Sequence, residues 1–469
     1  MSLEAHQPET DSSRRDFINA IYSMLAGLQI HDLKNAALQR PLKNFERSFG
    51  ELKAIYPDRT IDFKNQDNVL SICGERIQSH FSIVEAQKLL VEALDLAMID
   101  TLSIHSDIKI EEVGRFFSAW ALHLSVGGKA RPLNGKFENV EIKFVDPEKL
   151  QKKLKSRQLL MSPQYALQRY ILLKKSTEEF FNGIAVSELR TQKALKRDLL
   201  EIVEIGRFAP YNLVALSLIR PPESTTILPG AVGQALATSL LTAVMAQELQ
   251  FSFRDQVNIG LVGLLYNVGL IGEDSSIILK NEKLTPVEYK RVLDAQASGV
   301  YKLIKMQGSS RPVLERLLSI FEHSKGPNVK SVSLSLESRL LRLVSQYIAL
   351  TSDRPFRDAY TPSEAIKLLG SKAASQGGGG ELDPILYYMF VRFMGVYPVG
   401  TLVLLSDGQK AVVYRPSGEK VGIPMVKLIV GSETDQSKLI DLGLENDLSI
   451  TKALDPKREG VSIVGYFFE

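Results

Sequence analysis

Two four-residue signals, Thr285-Pro286-Val287-Glu288 and Thr361-Pro362-Ser363-Glu364, constrain this chain more than any other feature. Each sets a threonine that can cap a helix before a proline at the first helical position, where no amide donor is needed. A glutamate follows three residues after the threonine, able to reach back to its amide. Around them, apolar residues recur at helical spacing over 231–250, 255–270, 285–306, 311–322, 334–351 and 361–370. Residues 225–397 are therefore expected to form an all-α domain.

At 469 residues the chain is too long for one core, so two or three domains are expected. Residues 1–14 are polar and read as a disordered tail. Residues 15–148 read as an α+β domain. It would open with a helix from Asp16 carrying Phe17, Ile18, Ile21, Leu25 and Leu28, and a second helix from Asn35 to Ile55 that Pro41 starts or interrupts. Ile61 and Phe63, then Leu70 and Ile72, predict a hairpin about Asn65-Gln66-Asp67-Asn68. Ser82-Ile83-Val84-Glu85 is a capping box opening a helix to Ala97. A strand at 101–104, a helix at 109–124 and a strand at 140–145 complete the domain. Residues 149–224 read as a helical linker. After the run Gly377–Gly380, residues 398–469 turn to strands, with a hairpin built on Asp407-Gly408, giving a small β-rich C-terminal extension. The fold class is multidomain: an α+β domain, an all-α domain and a β appendage.

Composition removes several function classes. The single cysteine, Cys73, rules out an intramolecular disulfide and a cysteine-built zinc site. A formal charge of +3 with no basic stripe gives no reason to expect nucleic acid, and Lys149–Lys155 reads as a solvated helix face. No run approaches the roughly 18 apolar residues of a membrane span, and residues 1–15 lack a signal-peptide core, so a cytoplasmic protein is expected. The glycine run lacks the Lys-Ser/Thr of a phosphate loop. His31-Asp32 sits in a turn between helices without a second histidine at helical spacing, which fits a surface or capping role.

The most specific stretch is Ala349-Leu350-Thr351-Ser352-Asp353-Arg354-Pro355-Phe356-Arg357, followed by Pro362-Ser363-Glu364-Ala365. Leu279-Lys280, Lys283-Leu284-Thr285, Gly299 and Asp383-Pro384 stand in matching order. On these residues 225–397 resembles the HD-GYP family, helical metal-dependent phosphodiesterases that hydrolyse cyclic di-GMP. Residues 16–148 are similar to an α+β domain that precedes HD domains in some bacterial signalling proteins. Tyr397–Thr401 and Ser406-Asp407-Gly408 resemble extensions that follow them.

The departures fall on the chemistry. By the resemblance, metal-ligand positions fall at Gln234, Tyr266, Asn267, Ala295, Glu322, His323 and Ser345. The loop Ser324-Lys325-Gly326-Pro327-Asn328 is shortened and has no tyrosine. A catalytic metal needs about three protein ligands plus an open position, and only His323, with Glu322 as an oxygen donor, remains. The expectation is thus no metal, no cofactor and no catalytic residue: a pseudo-phosphodiesterase, stable without metal and insensitive to chelators, with Tyr266, Leu270 and Ala295 packed as core. Arg354 and Arg357 match family positions that contact phosphate, for which the guanidinium fork is suited. A structural reading instead has Arg354 pairing with a carboxylate to fix the turn before Thr361. The function expected first is an inactive signalling regulator or scaffold working through protein–protein contacts, with a homodimer compatible. The alternative is a receptor for cyclic di-GMP or another nucleotide.

Overall fold

Helix α1 spans Gln7–Leu28, so residues 7–14, expected as tail, are helical. The physical reason is burial: Phe17, Ile18, Ile21 and Met24 are all fully buried, and Arg14 is anchored by Asp11, Glu75 and the Tyr56 hydroxyl. The computed structural model describes residues 7–468 apart from 58–59, 67–68, 78–82, 126–131, 134, 145–157, 187–191, 221–229, 272–276, 278, 308–309, 327–328, 375–380, 417–421, 430–437 and 446. The expectations for residues 1–6, the Ser82 capping box, Lys149–Lys155 and the glycine run lie outside the described residues.

The chain divides into two compact units, Met1–Lys155 with Gln247–Phe253, and Ser156–Ala246 with Arg254–Glu469. In the first, a 3-10 turn at Ala36–Leu38 is capped by Asn35 and leads into α2, Gln39–Ile55. Pro41 falls in the first turn of α2, where helical amides have no intrahelical partner, so it starts the helix rather than breaking it. Strands β1 Ile61–Gln66, β2 Val69–Ile72 and β3 Glu75–Arg76 precede α3, Val84–Leu96. Then come β4 Ile99–Ile104, α4 Ile110–Ser125 and β5 Val140–Phe144. The sheet order is β3-β2-β1-β4-β5, antiparallel throughout, with Phe63 opposite both Ile72 and Leu102. Alternation puts Ile61, Phe63, Leu70, Ile72, Leu102 and Ile104 into one core with Phe17, Phe45, Phe117 and Trp120.

In the second unit, α5 Pro163–Ala185, α6 Lys193–Gly206 and α7 Pro210–Leu216 occupy the segment expected as a linker. Tyr170, Leu173, Phe181, Leu199 and Ile202 are buried there, so these helices are part of a core rather than a connection. Helices α8 Ala231–Glu248 and α9 Phe253–Leu265 follow. α8 is buried almost all round, and α9 comes close to it through Gly263, where a Cβ would lie 2.5 Å from Thr242 Oγ1. A 3-10 turn at Val268–Leu270 ends this run. Next come α10 Pro286–Gln307, α11 Arg311–Ser324, α12 Leu336–Leu350, α13 Pro362–Ala373 and α14 Pro384–Met394. Both threonine signals form as predicted. Glu288 accepts from the Thr285 amide at 2.7 Å, and Glu364 from the Thr361 amide at 2.9 Å.

The C-terminal strands are β6 Leu402–Leu405, β7 Lys410–Pro416, β8 Pro424–Leu428, β9 Leu439–Asp441 and β10 Ile450–Leu454, in order β10-β6-β7-β8-β9. The β6–β7 turn is the expected one. Asp407 Oδ1 accepts from the Gln409 amide at 3.0 Å, and Gly408 has φ +86°, a left-handed value that suits glycine.

Candidate functional site

A cavity of about 410 Å³ opens in the second unit, walled by α8, α10, α12, the end of α11 and the Arg354 turn. Two helices each present one stripe to it at i, i+3, i+4 and i+7 spacing. On α10 these are Tyr289, Val292, Leu293 and Gln296, and on α12 they are Arg342, Ser345, Gln346 and Ala349. The floor is set by a close backbone approach between two glycines. A Cβ on Gly269 would lie 1.9 Å from the Ala295 carbonyl oxygen, and one on Gly299 2.5 Å from the Gly269 amide. Only hydrogen at both positions lets the 3-10 turn pack onto α10, which delivers Tyr266 and Asn267 to the cavity.

The structure brings most of the sequence-selected residues together. Gln234, Tyr266, Asn267, His323, Ser345, Arg354 and Arg357 all line the cavity. His323 Nε2 lies 3.0 Å from Ser345 Oγ, and its ring meets Tyr266 edge-on at 5.2 Å. Burial, aided by the charge of Arg342, pushes the imidazole down to about 4, so it is neutral at ordinary pH. Burial pushes the Tyr266 phenol up, with Arg354 pulling the other way. Asn267 Oδ1 accepts from Gln296 Nε2 at 2.6 Å.

Two positions sit elsewhere. Ala295 turns its backbone to Gly269 and is not in the wall, where its neighbour Gln296 stands instead. Glu322, expected as an oxygen ligand, faces the start of α12. It accepts from the Ser335 amide at 2.9 Å, the Ser335 hydroxyl at 2.6 Å and the Ser338 hydroxyl at 2.5 Å. Those hydrogen bonds outweigh the opposing effect of burial and hold its carboxyl below the usual range.

The turn-fixing role considered for Arg354 falls to Arg357. Arg357 secures the turn, donating to the carbonyls of Ala349, Leu350 and Asp358 at 2.8, 3.1 and 2.6 Å. Arg354 has no carboxylate partner among the described residues, and burial lowers its pKa. Sequence reasoning missed Tyr289, Gln296, Arg342, Gln346, Lys372 and Glu381, which also line the cavity. The polar Arg342 and Gln346 within the apolar pattern of α12 were an available signal. Arg342, 3% exposed, donates to the carbonyls of Gly326 at 2.9 Å and Val329 at 2.7 Å.

Residues 219–378 match the family described as HD domain. The chain carries an HD-GYP-like HD domain. A cyclic di-GMP phosphodiesterase of Pseudomonas aeruginosa is 27% identical over 241 residues, which are 50% of this chain and 56% of that protein. The chain thus matches about half the length of this relative. The match corrects the expectation of a pseudo-phosphodiesterase, because similarity to a protein of that name points to an enzyme. Substituted ligand positions do not by themselves remove catalysis. The wall holds imidazole, hydroxyl, phenol and guanidinium groups.

The donors do not fit the metal centre that the resemblance implies. His323 is the one imidazole in the described cavity wall, Glu322 is committed to serines, and among the described residues no group of three or more His, Cys, Asp or Glu could hold a metal ion. No helix among the described residues is long and apolar enough to cross a membrane.

Proposed function

We propose that the protein works in cyclic di-GMP signalling and that the HD-domain cavity binds cyclic di-GMP, with Arg354 contacting a phosphate. The observation that carries this reading is the Arg354 guanidinium, set in a cavity wall with no carboxylate partner among the described residues. A half-buried cation in a cavity wall calls for an anion, and a guanidinium pairs two phosphate oxygens at once. The cavity, at about 410 Å³, falls within the usual range for small-ligand sites. The phosphodiesterase relative supports the choice of ligand.

Calorimetry with cyclic di-GMP tests the reading. Saturable binding is expected, weakened roughly tenfold or more in Arg354→Ala, the usual effect of losing a charge-assisted hydrogen bond. Absence of heat with the unsubstituted chain at micromolar concentration would reject it. Chromatography of the same samples for linear dinucleotide or GMP reads turnover directly.

Regulation through protein contacts is a second reading, favoured by one observation. Leu314, Leu318 and Phe321 stand at i, i+4 and i+7 on α11 and are 49%, 51% and 44% exposed. If the contact is with a second copy of the chain, sedimentation velocity should show self-association that Leu318→Glu abolishes. A concentration-independent monomer in both would sink the homodimer form.

A further inference from the structure

The cavity wall contains a second polar group that Arg354 does not use. Gln346, beside Ser345 on α12, donates from Nε2 to Glu381 Oε1 at 2.7 Å. Lys372 of α13 closes the group, its Nζ donating to Gln346 Oε1 at 2.8 Å and lying 3.3 Å from both Glu381 oxygens. All three side chains line the cavity. Among the described residues, Glu381 Oε1 is engaged by the amide while Oε2 has only the Lys372 contact, so Oε2 keeps lone pairs for a ligand. Two aromatic rings line the same cavity, Tyr289 and Phe356, 42% and 40% exposed. The Tyr289 phenol is pushed up by burial and by the charge of Glu381, which puts the carboxylate within electrostatic reach of that ring.

A carboxylate held by an amide and an ammonium, in one cavity with partly open aromatic rings, is a seat for a planar base with adjacent donors. We propose that Glu381 selects guanine in the bound dinucleotide, its carboxylate accepting from N1–H and the exocyclic amine while Tyr289 or Phe356 stacks on the base. The proposal rests on reading this cavity as a cyclic di-GMP site and names the residue that sets its base preference. Guanine presents two neighbouring donors on that edge. Adenine presents one donor and a ring nitrogen whose lone pair faces the carboxylate, and hypoxanthine keeps N1–H but lacks the amine. Gln346 and Lys372 position the carboxylate, so the preference is built into the wall before ligand arrives. Stacking on the rings adds affinity for any base and cannot discriminate.

The test compares cyclic di-GMP, cyclic di-AMP and cyclic di-IMP by calorimetry on the full chain and on Glu381→Gln. The unsubstituted chain should bind cyclic di-GMP at least about tenfold tighter than either analogue, since each lacks a hydrogen bond that the site is built to accept. In Glu381→Gln the guanine–hypoxanthine ratio should shrink to within about threefold, because a neutral acceptor gains less from the amine. The ligand comparison on the unsubstituted chain holds whether or not the variant folds. Binding of all three dinucleotides with equal affinity, or an unchanged ratio in a folded Glu381→Gln, overturns the proposal and leaves the cyclic di-GMP site standing. Failure of the unsubstituted chain to bind any of the three overturns the reading of the cavity itself.

Discussion

Arg354 and Arg357 stand three residues apart in one turn and do different work, and two substitutions separate them. Arg357→Ala removes donors to the carbonyls of Ala349, Leu350 and Asp358. It should lower stability by about 1–2 kcal/mol in urea titration. Arg354→Ala leaves those carbonyls satisfied and should melt like the parent while losing ligand. His323 gives a pH signature. Its folded pKa, about 4, lies below the ordinary 6.5, so the folded protein keeps the ring neutral where the unfolded chain takes a proton. Stability is full above pH 6.5 and should fall as pH drops from 6.5 toward 4, by on the order of 3 kcal/mol. His323→Phe, which keeps a ring beside Tyr266, should flatten that slope; a slope unchanged in the variant would assign it to another group. At Gly269, a Cβ 1.9 Å from the Ala295 oxygen cannot be accommodated without moving α10, and Gly269→Ala should cost about 3 kcal/mol, near the upper end for overpacking. Sequence alone identified Arg354, Arg357 and His323 as the residues to examine. It could not assign their contacts, because His323 meets Ser345 on another helix and only the path of the turn brings Arg357 back to the carbonyls of Ala349 and Leu350.

Among elements, α12 is the one on which the site depends most. Its N-terminus is closed by Ser335, whose hydroxyl and amide both donate to Glu322 on α11, and its C-terminus by Arg357. Its middle carries Arg342, Ser345 and Gln346 into the cavity. Glu322→Ala would remove the acceptor that the Ser335 and Ser338 hydroxyls share and should cost about 1 kcal/mol in chemical denaturation. Affinity for cyclic di-GMP should be unchanged, because Glu322 is not in the wall. A large loss of affinity with stability intact would return Glu322 to the ligand site. Element boundaries were well read where a capping signal existed. The helices starting at Pro286 and Pro362 begin as the two threonine signals require. Where no local signal existed, packing decided: residues 7–14 are helical because Arg14 and the apolar side chains beyond it are buried.

At the scale of the molecule, the two units have separate cores, one centred on Phe17, Phe45, Phe117 and Trp120, the other built around the buried α8. Scanning calorimetry should therefore find a calorimetric enthalpy above the van't Hoff value, as for a chain that does not unfold in one step. Saturating cyclic di-GMP should raise only the transition of the unit holding the cavity, since a ligand stabilises the state that binds it. Equal shifts in both transitions would count against that assignment. What the sequence determined by itself was local and periodic. Hydrophobic spacing gave the helices and strands, the threonine and Asp-Gly signals their ends, and the stretch from Ala349 to Arg357 the family likeness. What the tertiary structure decided was convergence. It turned Glu322 toward serines, set Arg354 in the cavity without a described carboxylate partner, and joined Gln346, Lys372 and Glu381 into one polar group. Periodicity fixes which face of a helix is buried, but the partner on that face depends on chain-distant packing and on close approaches such as Gly269 to Gly299, which carry no local signature.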